Sequence, residues 1–440
     1  MAIRLALISA NRHCDPYPVY PLGTAYLKSY LLSKIEDCIV DIVDMNLTSY
    51  DELRKYLLEQ KPNYIGLSLR NLDGANSLRG DDFLSYYKEL TDLIRLHSSA
   101  PLIIGGSAFS IAPNEFMNLL KVDYGIKGEG EGELYDLIIS LEEKKEKISR
   151  PPSCRYIARP TVYFEPHLVE YYWKQSGMLN IQTKRGCPYN CIYCTYPEID
   201  GRTLRTVDID SIIDTMARSK RDYGVNYWFF TDSVFNISPD YNNKLAEDLV
   251  KSDLNISWGA YFTPSNINDE QLKLFKRSGL THIEYGTESF CDSTLAAYGK
   301  RFTFSEVLEA SELALKHNIY YSHFMILGGW KDDMKAIEET MNNSKYLRHT
   351  VIFPFVGMRI YPNTVLQKHC IKAGVLEPDN KLLNSCYYTH PYFDLEQARS
   401  MARATGKAWI FPDEEQPEMM NKLKIQRNKK GPLWEYLRKP

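Results

Sequence analysis

The residues best suited to chemistry lie in one stretch, Arg185-Gly186-Cys187-Pro188-Tyr189-Asn190-Cys191-Ile192-Tyr193-Cys194. Cys187, Cys191 and Cys194 are spaced C-x3-C-x2-C, with Pro188 and Asn190 in the gaps. Those gap residues favour a tight loop over a helix or strand, so the three sulfurs can converge. Three thiolates suit a [4Fe-4S] cluster whose remaining iron has no protein ligand. Such an iron is open to bind and reduce a small molecule. A structural zinc site is the alternative, but it takes four ligands, usually as two C-x2-C or C-x2-C/H-x3-5-H pairs. The next cysteine is Cys291, and the nearest histidines are His167 and His282. Three buried, inert thiols are the remaining reading.

From residue 179 onward, short apolar runs alternate with helical patterns. Strands are expected at 179–183, 226–231, 256–261, 282–285, 320–327 and 351–355, the last running on to 358–361. Helices are expected at 208–221, 244–251, 269–278, 305–316 and 334–346. Six βα-type repeats are fewer than a closed eightfold barrel needs. The expectation is an open, partial (β/α)6 barrel over 179–370, with the cysteine loop first on its active face. Asp232-Ser233-Val234-Phe235-Asn236, Gly286-Thr287-Glu288-Ser289 and Gly328-Gly329 are further strand-end loops.

Upstream, strands at 2–9, 40–44, 64–69, 101–104 and 123–127 alternate with helices at 21–32, 51–60, 84–96 and near 115–120. That order predicts a parallel α/β sheet wound on both faces, a doubly wound Rossmann-like domain over 1–142. Ligands of such sheets lie at the carboxyl ends of the strands. Here those ends carry the loops 9–23, 70–76, 105–110 and 128–132, where glycines let backbone come close to a ligand. No G-x-G-x-x-G follows the first strand and no G-x-x-x-x-G-K-[ST] occurs, which disfavours nicotinamide and P-loop nucleotide sites.

Residues 143–178 read as a linker, charged and then proline-rich (LEEKKEKISRPPS). Residues 371–440 form a small mixed or helical C-terminal region. It contains Tyr387, Tyr388, His390 and Tyr392, a helix at 395–409 and a basic end. These aromatic residues are expected to close the barrel and shape the pocket.

The chain has 440 residues, a prior for two to three domains. Its formal charge of −3 argues against a general nucleic-acid surface. No run approaches the ~18 apolar residues of a membrane span. Six of the nine cysteines are scattered, which reads as reduced cytoplasmic thiols and not a disulfide framework.

C-x3-C-x2-C on the first loop of a partial barrel resembles the radical S-adenosylmethionine (SAM) superfamily. Tyr196-Pro197-Glu198-Ile199-Asp200-Gly201-Arg202-x-x-Arg205 is similar to the branch that also binds cobalamin (B12). In the N-terminal half, Pro21-Leu22-Gly23-x-Ala25-Tyr26-Leu27, Ile104-Gly105-Gly106 and Val122-Asp123-Tyr124-x-x-x-Gly128-Glu129-Gly130-Glu131 match that branch's cobalamin domain. The resemblance covers about residues 1–370.

It implies that Cys187, Cys191 and Cys194 ligate the cluster while the free iron chelates SAM. It places Asp232, Asn236 and Glu288 against SAM, Ile326-Leu327-Gly328-Gly329 near the adenine, and Arg359 against SAM or substrate. It places Gly23, Arg70, Asn71, Gly105, Gly106, Ser107, Gly128, Glu129 and Gly130 against cobalamin. Each has a plainer alternative: Asp232 and Asn236 as helix caps, Glu288 paired to a surface lysine, Arg70 in an ordinary salt bridge. The chain departs from many cobalamin proteins in lacking D-x-H-x-x-G over 1–130, so no histidine is offered beneath cobalt. Arg70 in the 68–73 loop would face that side instead and leave cobalt without a protein ligand.

The resemblance further implies a methyltransferase that forms a 5′-deoxyadenosyl radical and passes a methyl group from methylcobalamin to an unactivated carbon. The acceptor would be a small natural product, a peptide or a lipid-like molecule, and flavodoxin or ferredoxin would supply electrons. A cobalamin-dependent cyclisation, rearrangement or oxidation is the alternative within the family. A non-catalytic cobalamin or iron-sulfur sensor is the alternative outside it.

Overall fold

A computed structural model describes residues 3–14, 16–75, 77–78, 82–143, 162–413, 422–423, 425 and 430–438. The expected linker from 144 to 161, with Cys154, lies outside the described residues, as do Asn76 of the third-strand loop and most of the basic end.

The N-terminal sheet has β1 (Ile3–Ser9), β2 (Cys38–Asp44), β3 (Tyr64–Ser68), β4 (Leu102–Gly105) and β5 (Tyr124–Gly125) in the order β2-β1-β3-β4-β5. All pairings are parallel. Alternation along β1 divides its side chains between two cores. Leu5 and Leu7 pack with Leu31, Leu134 and Ile138, while Ala6 and Ile8 pack with Tyr87, Leu90, Ile94 and Phe116. A sheet covered on both faces needs such near-continuous apolar strands. Local signals set the helix starts: Ser49 and Glu52 form a capping box at Tyr50–Gln60, and Asp82 accepts from Ser85 N at Phe83–His97.

The second sheet contains β6 (Leu179–Ile181), β9 (Tyr227–Phe230), β10 (Ser257–Phe262), β11 (Leu280–Glu288), β12 (Tyr320–Leu327), β13 (Val351–Val356) and β16 (Ala408–Trp409). These strands lie side by side in chain order, all parallel, and the sheet does not close on itself. Two short antiparallel pairs complete the set: β7 (Lys184–Arg185) with β8 (Arg205–Thr206), and β14 (Met358–Arg359) with β15 (Tyr387–Tyr388).

Three expectations need correction. The end of the expected linker is the helix Pro166–Ser176, whose Leu168, Val169 and Tyr172 belong to the barrel core. The expected helix 395–409 stops at Ala404, and the chain returns to add β16 as a seventh strand. Residues 358–359 leave the barrel sheet and pair with β15. Beyond them, Trp434 packs among Val351, Phe353 and Ala408 and donates to Glu284 Oε1 at 3.0 Å, sealing one end of the barrel.

Among the described residues no helix is long and apolar enough to cross a membrane.

Candidate active site

The cysteine loop is held by backbone. Gly186 has φ +91°, and a Cβ there would stand 2.1 Å from the Thr203 carbonyl oxygen, so only glycine fits. Cys187 N donates to Gly201 O at 3.1 Å, and Ile192 N to Tyr298 O at 3.1 Å. Cys187, Cys191 and Cys194 all line one cavity of about 1030 Å³ at the strand ends of the barrel. Burial raises the thiol pKa values of Cys187 and Cys194, the latter to about 12, so metal binding there must release protons. Among the described residues no three His, Cys, Asp or Glu side chains converge tightly enough for a single metal ion. Three sulfurs around a roomy cavity fit a multi-iron cluster, whose ligands sit on separate irons.

Glu288 reaches the same cavity. The β11–β12 register shifts between Gly286 and Glu288, and Glu288 takes φ +70°. The bulge and the positive φ turn the carboxylate into the cavity beside the cysteine loop. Tyr193 OH donates to its Oε1 at 2.7 Å and Lys300 Nζ at 3.2 Å. The lysine partner is buried, not on the surface.

Asp232 and Asn236 turn inward and do not line the cavity. Asp232, fully buried, accepts from Thr183 N, Thr183 Oγ1, Lys184 N and Lys184 Nζ at 2.5–3.1 Å. Asn236 donates to the carbonyls of Thr263 and Ser265 at 2.9 and 2.8 Å, and accepts from Thr263 N at 2.9 Å. Neither caps the next helix; both brace loops that shape the site. Gly328 and Gly329 also lie off the cavity, their Cβ positions blocked by Phe393 and Tyr298. None of Tyr387, Tyr388, His390 and Tyr392 lines either large cavity.

A second cavity of about 1080 Å³ opens at the carboxyl ends of β3 and β4. Gly23, Gly105, Gly106, Ser107, Gly128, Glu129 and Gly130 line it, joined by Gln182, Arg185, Ile199, Asp200 and Thr231 from the barrel half. Gly106 has φ +97°, and its Cβ would meet Leu69 O at 2.4 Å. No Cβ contact within 4 Å surrounds Gly23, and Gly105 faces only Ile126 O at 3.4 Å, so these positions leave open room for a large ligand. Burial raises Asp200 on the wall to about 6.

Glu129 is largely committed to protein. Arg185 bonds it at 3.0 Å and Glu131 at 2.6 Å, and Arg205 pairs with Glu129 too. Burial alone would raise the Glu131 carboxyl, but Arg185 outweighs it and holds it below the ordinary value. Arg70 is exposed and lines neither cavity. Among the described residues its side chain makes no ion pair. The Asn71 carbonyl accepts from Tyr87 OH at 2.6 Å, and Asn71 does not line the cavity.

Arg359 touches neither cavity. It is 5% exposed, pairs with Asp73 at 2.5 Å and donates to the carbonyls of Leu382 and Asn384. It is a strut between the two halves. Cavity-lining residues that the sequence did not single out include Lys300, Arg185 and Tyr193; the last two lie in the cysteine stretch itself, while Lys300 carries no local signal.

A doubly wound sheet and an open barrel thus set two large cavities against each other, one glycine-lined and one cysteine-lined. Family models match in the same places: the B12 binding domain over 8–138 and the Radical SAM superfamily over 181–343. The chain thus pairs a B12 binding domain with a radical SAM domain, the arrangement of the cobalamin-dependent radical SAM proteins. It is 23% identical to the tryptophan 2-C-methyltransferase of Streptomyces laurentii, across 83% of this chain and 74% of that protein. It is 22% identical to an uncharacterized methyltransferase of Pyrococcus horikoshii, across 89% and 87%. The structure of the radical SAM methyltransferase TsrM from Kitasatospora setae, with cobalamin and a [4Fe-4S] cluster bound, superposes with a TM-score of 0.85. That match is at 19% identity and covers 98% of this chain and 96% of that one.

Proposed function

We propose that this chain is a cobalamin-dependent radical SAM C-methyltransferase. Cys187, Cys191 and Cys194 hold a [4Fe-4S] cluster in the barrel cavity, and the glycine-lined cavity holds cobalamin. One observation carries this reading: the short helix Tyr196–Ile199 is a shared wall, with Tyr196 on the cysteine cavity and Ile199 on the other. When bound, the cluster supplies one-electron reduction and SAM cleavage, and the corrin carries a methyl group.

The chain's own residues bind, orient and exclude water. Gly106 and Ser107 would let a corrin approach the backbone of the cavity wall, and Ser107 Oγ donates to the Arg70 carbonyl at 2.7 Å. A guanidinium has no lone pair to offer a metal, so were Arg70 to face the corrin it would supply charge and not ligation. Glu288, held by Tyr193 and Lys300, is placed to accept a hydrogen bond from the SAM amino group or ribose. Tyr189, Tyr261, Phe262, Phe302 and Phe324 wall the mouth of the barrel and favour a ring-bearing or otherwise apolar acceptor.

Sequence likeness to methyltransferases, among them one acting on tryptophan, favours methyl transfer over cyclisation. The test is anaerobic incubation of cobalamin-loaded, iron-reconstituted protein with SAM, dithionite and a panel of aromatic, peptide and lipid acceptors. S-adenosylhomocysteine together with a methylated acceptor is expected, and Cys191→Ala should abolish both. Loss of S-adenosylhomocysteine with 5′-deoxyadenosine retained would assign the non-methylating chemistry; absence of both would overturn the enzyme reading.

A further inference from the structure

Lys300 is a buried cation placed directly against the cysteine loop, its side chain 10% exposed. Backbone fixes it there. Gly299, immediately before it, has φ +78°, and a Cβ on Gly299 would stand 2.8 Å from the Asn190 carbonyl oxygen. Tyr298 O accepts from Ile192 N, so the segment carrying Lys300 and the loop carrying Cys191 are bonded neighbours. Lys300 Nζ donates to Gly286 O at 3.0 Å and to Glu288 Oε1 at 3.2 Å. The ion pair with the Glu288 carboxylate supports its charge against burial. Lys300 lines the same cavity as Cys187, Cys191 and Cys194, and its Nζ stands 5.7 Å from the centre of the Tyr193 ring, in the loop between Cys191 and Cys194.

We propose that Lys300 sets the reduction potential of the metal cluster upward, with Glu288 as the opposing charge. This rests on the reading that Cys187, Cys191 and Cys194 hold a [4Fe-4S] cluster. Accepting one electron makes the cluster and its three thiolates more negative by one charge. A cation only 10% exposed stabilises that added charge better than it would in solvent, and net charge is among the factors that set cluster potentials. Glu288 offsets part of the effect and anchors Nζ, so the two side chains pull in opposite directions.

The test is a redox titration of the reconstituted holoprotein, followed by low-temperature EPR of the reduced cluster, after iron and sulfide have been counted. In Lys300→Met the ratio of reduced to oxidised cluster at a fixed poise should fall at least tenfold, a shift of at least about 59 mV for one electron. Lys300→Arg should stay within about threefold of wild type, and Glu288→Gln should move the opposite way. Full iron in Lys300→Met with an unchanged or higher ratio would overturn the proposal. If Lys300→Met fails to hold iron, Glu288→Gln decides: a raised ratio supports it, an unchanged or lowered one overturns it. A merely structural role would lower iron content without opposite shifts. Wild-type protein that takes up no four-iron cluster would instead sink the reading on which this proposal rests.

Discussion

Asp232 and Glu288 stand at the ends of neighbouring regions of one sheet, yet they serve different purposes. Glu288 faces the cavity with two donors on one oxygen, while Asp232 spends its carboxylate on Thr183 and Lys184. Lys184 is 1% exposed and Asp232 fully buried, so Asp232→Asn leaves a buried ammonium without its counter-charge. The expected loss is about 3–5 kcal/mol, read from the denaturant midpoint. Glu284 gives a pH signature. Burial pushes its pKa from 4.5 to about 7, so the folded protein keeps a proton that the unfolded chain releases across that window. The stability contributed by neutral Glu284 is full below about pH 4.5 and is lost as pH rises through 7. Glu284→Gln should flatten that part of the Tm–pH curve; an unchanged slope would show that other groups carry it. At this scale the cysteines were legible because all three sit in one loop with turn residues between them. Lys300 was not, because a lone lysine far along the chain becomes a site residue only once Tyr298 and Ile192 are bonded.

At the scale of elements, the alternation of strands and helices was legible because buried parallel strands are short, apolar and β-branched or aromatic. Periodicity tells which face a residue takes but not what awaits it, so Asp232, Asn236 and Arg359 could be placed near strand ends without revealing their partners. The helix Pro166–Ser176 was hidden behind a charged and proline-rich stretch, and β16 has only two residues, too few for a pattern. The cysteine loop itself depends on one glycine. Gly186→Ala forces a Cβ against the Thr203 carbonyl at an unfavourable positive φ. The variant should fold but retain less than half the wild-type iron after desalting, as measured by iron per chain and cluster absorbance.

Across the whole molecule, the two halves are held by buried charge. Arg185, immediately before the cysteine loop, binds Glu129 and Glu131 on the wall of the glycine-lined cavity, and Arg359 binds Asp73 across the other side of the interface. The glycine-lined cavity is thus tied to the cysteine loop. Arg185→Met should weaken cobalamin retention at least tenfold, measured by equilibrium dialysis, and also disturb the cluster's EPR line shape; a change in neither would mean that the halves are held together independently of Arg185. That linkage joins residues far apart in the sequence, and no local motif announces it.

The central claim, that SAM bound at the cysteine cavity serves a corrin in the neighbouring one, can be tested without knowing the acceptor. Protein loaded with cobalamin and cluster, reduced with titanium citrate, is given SAM carrying a deuterated methyl group, and the corrinoid is recovered in the dark. The account predicts one equivalent of S-adenosylhomocysteine and the deuterated methyl on the corrinoid. Fully loaded protein that yields neither would contradict it.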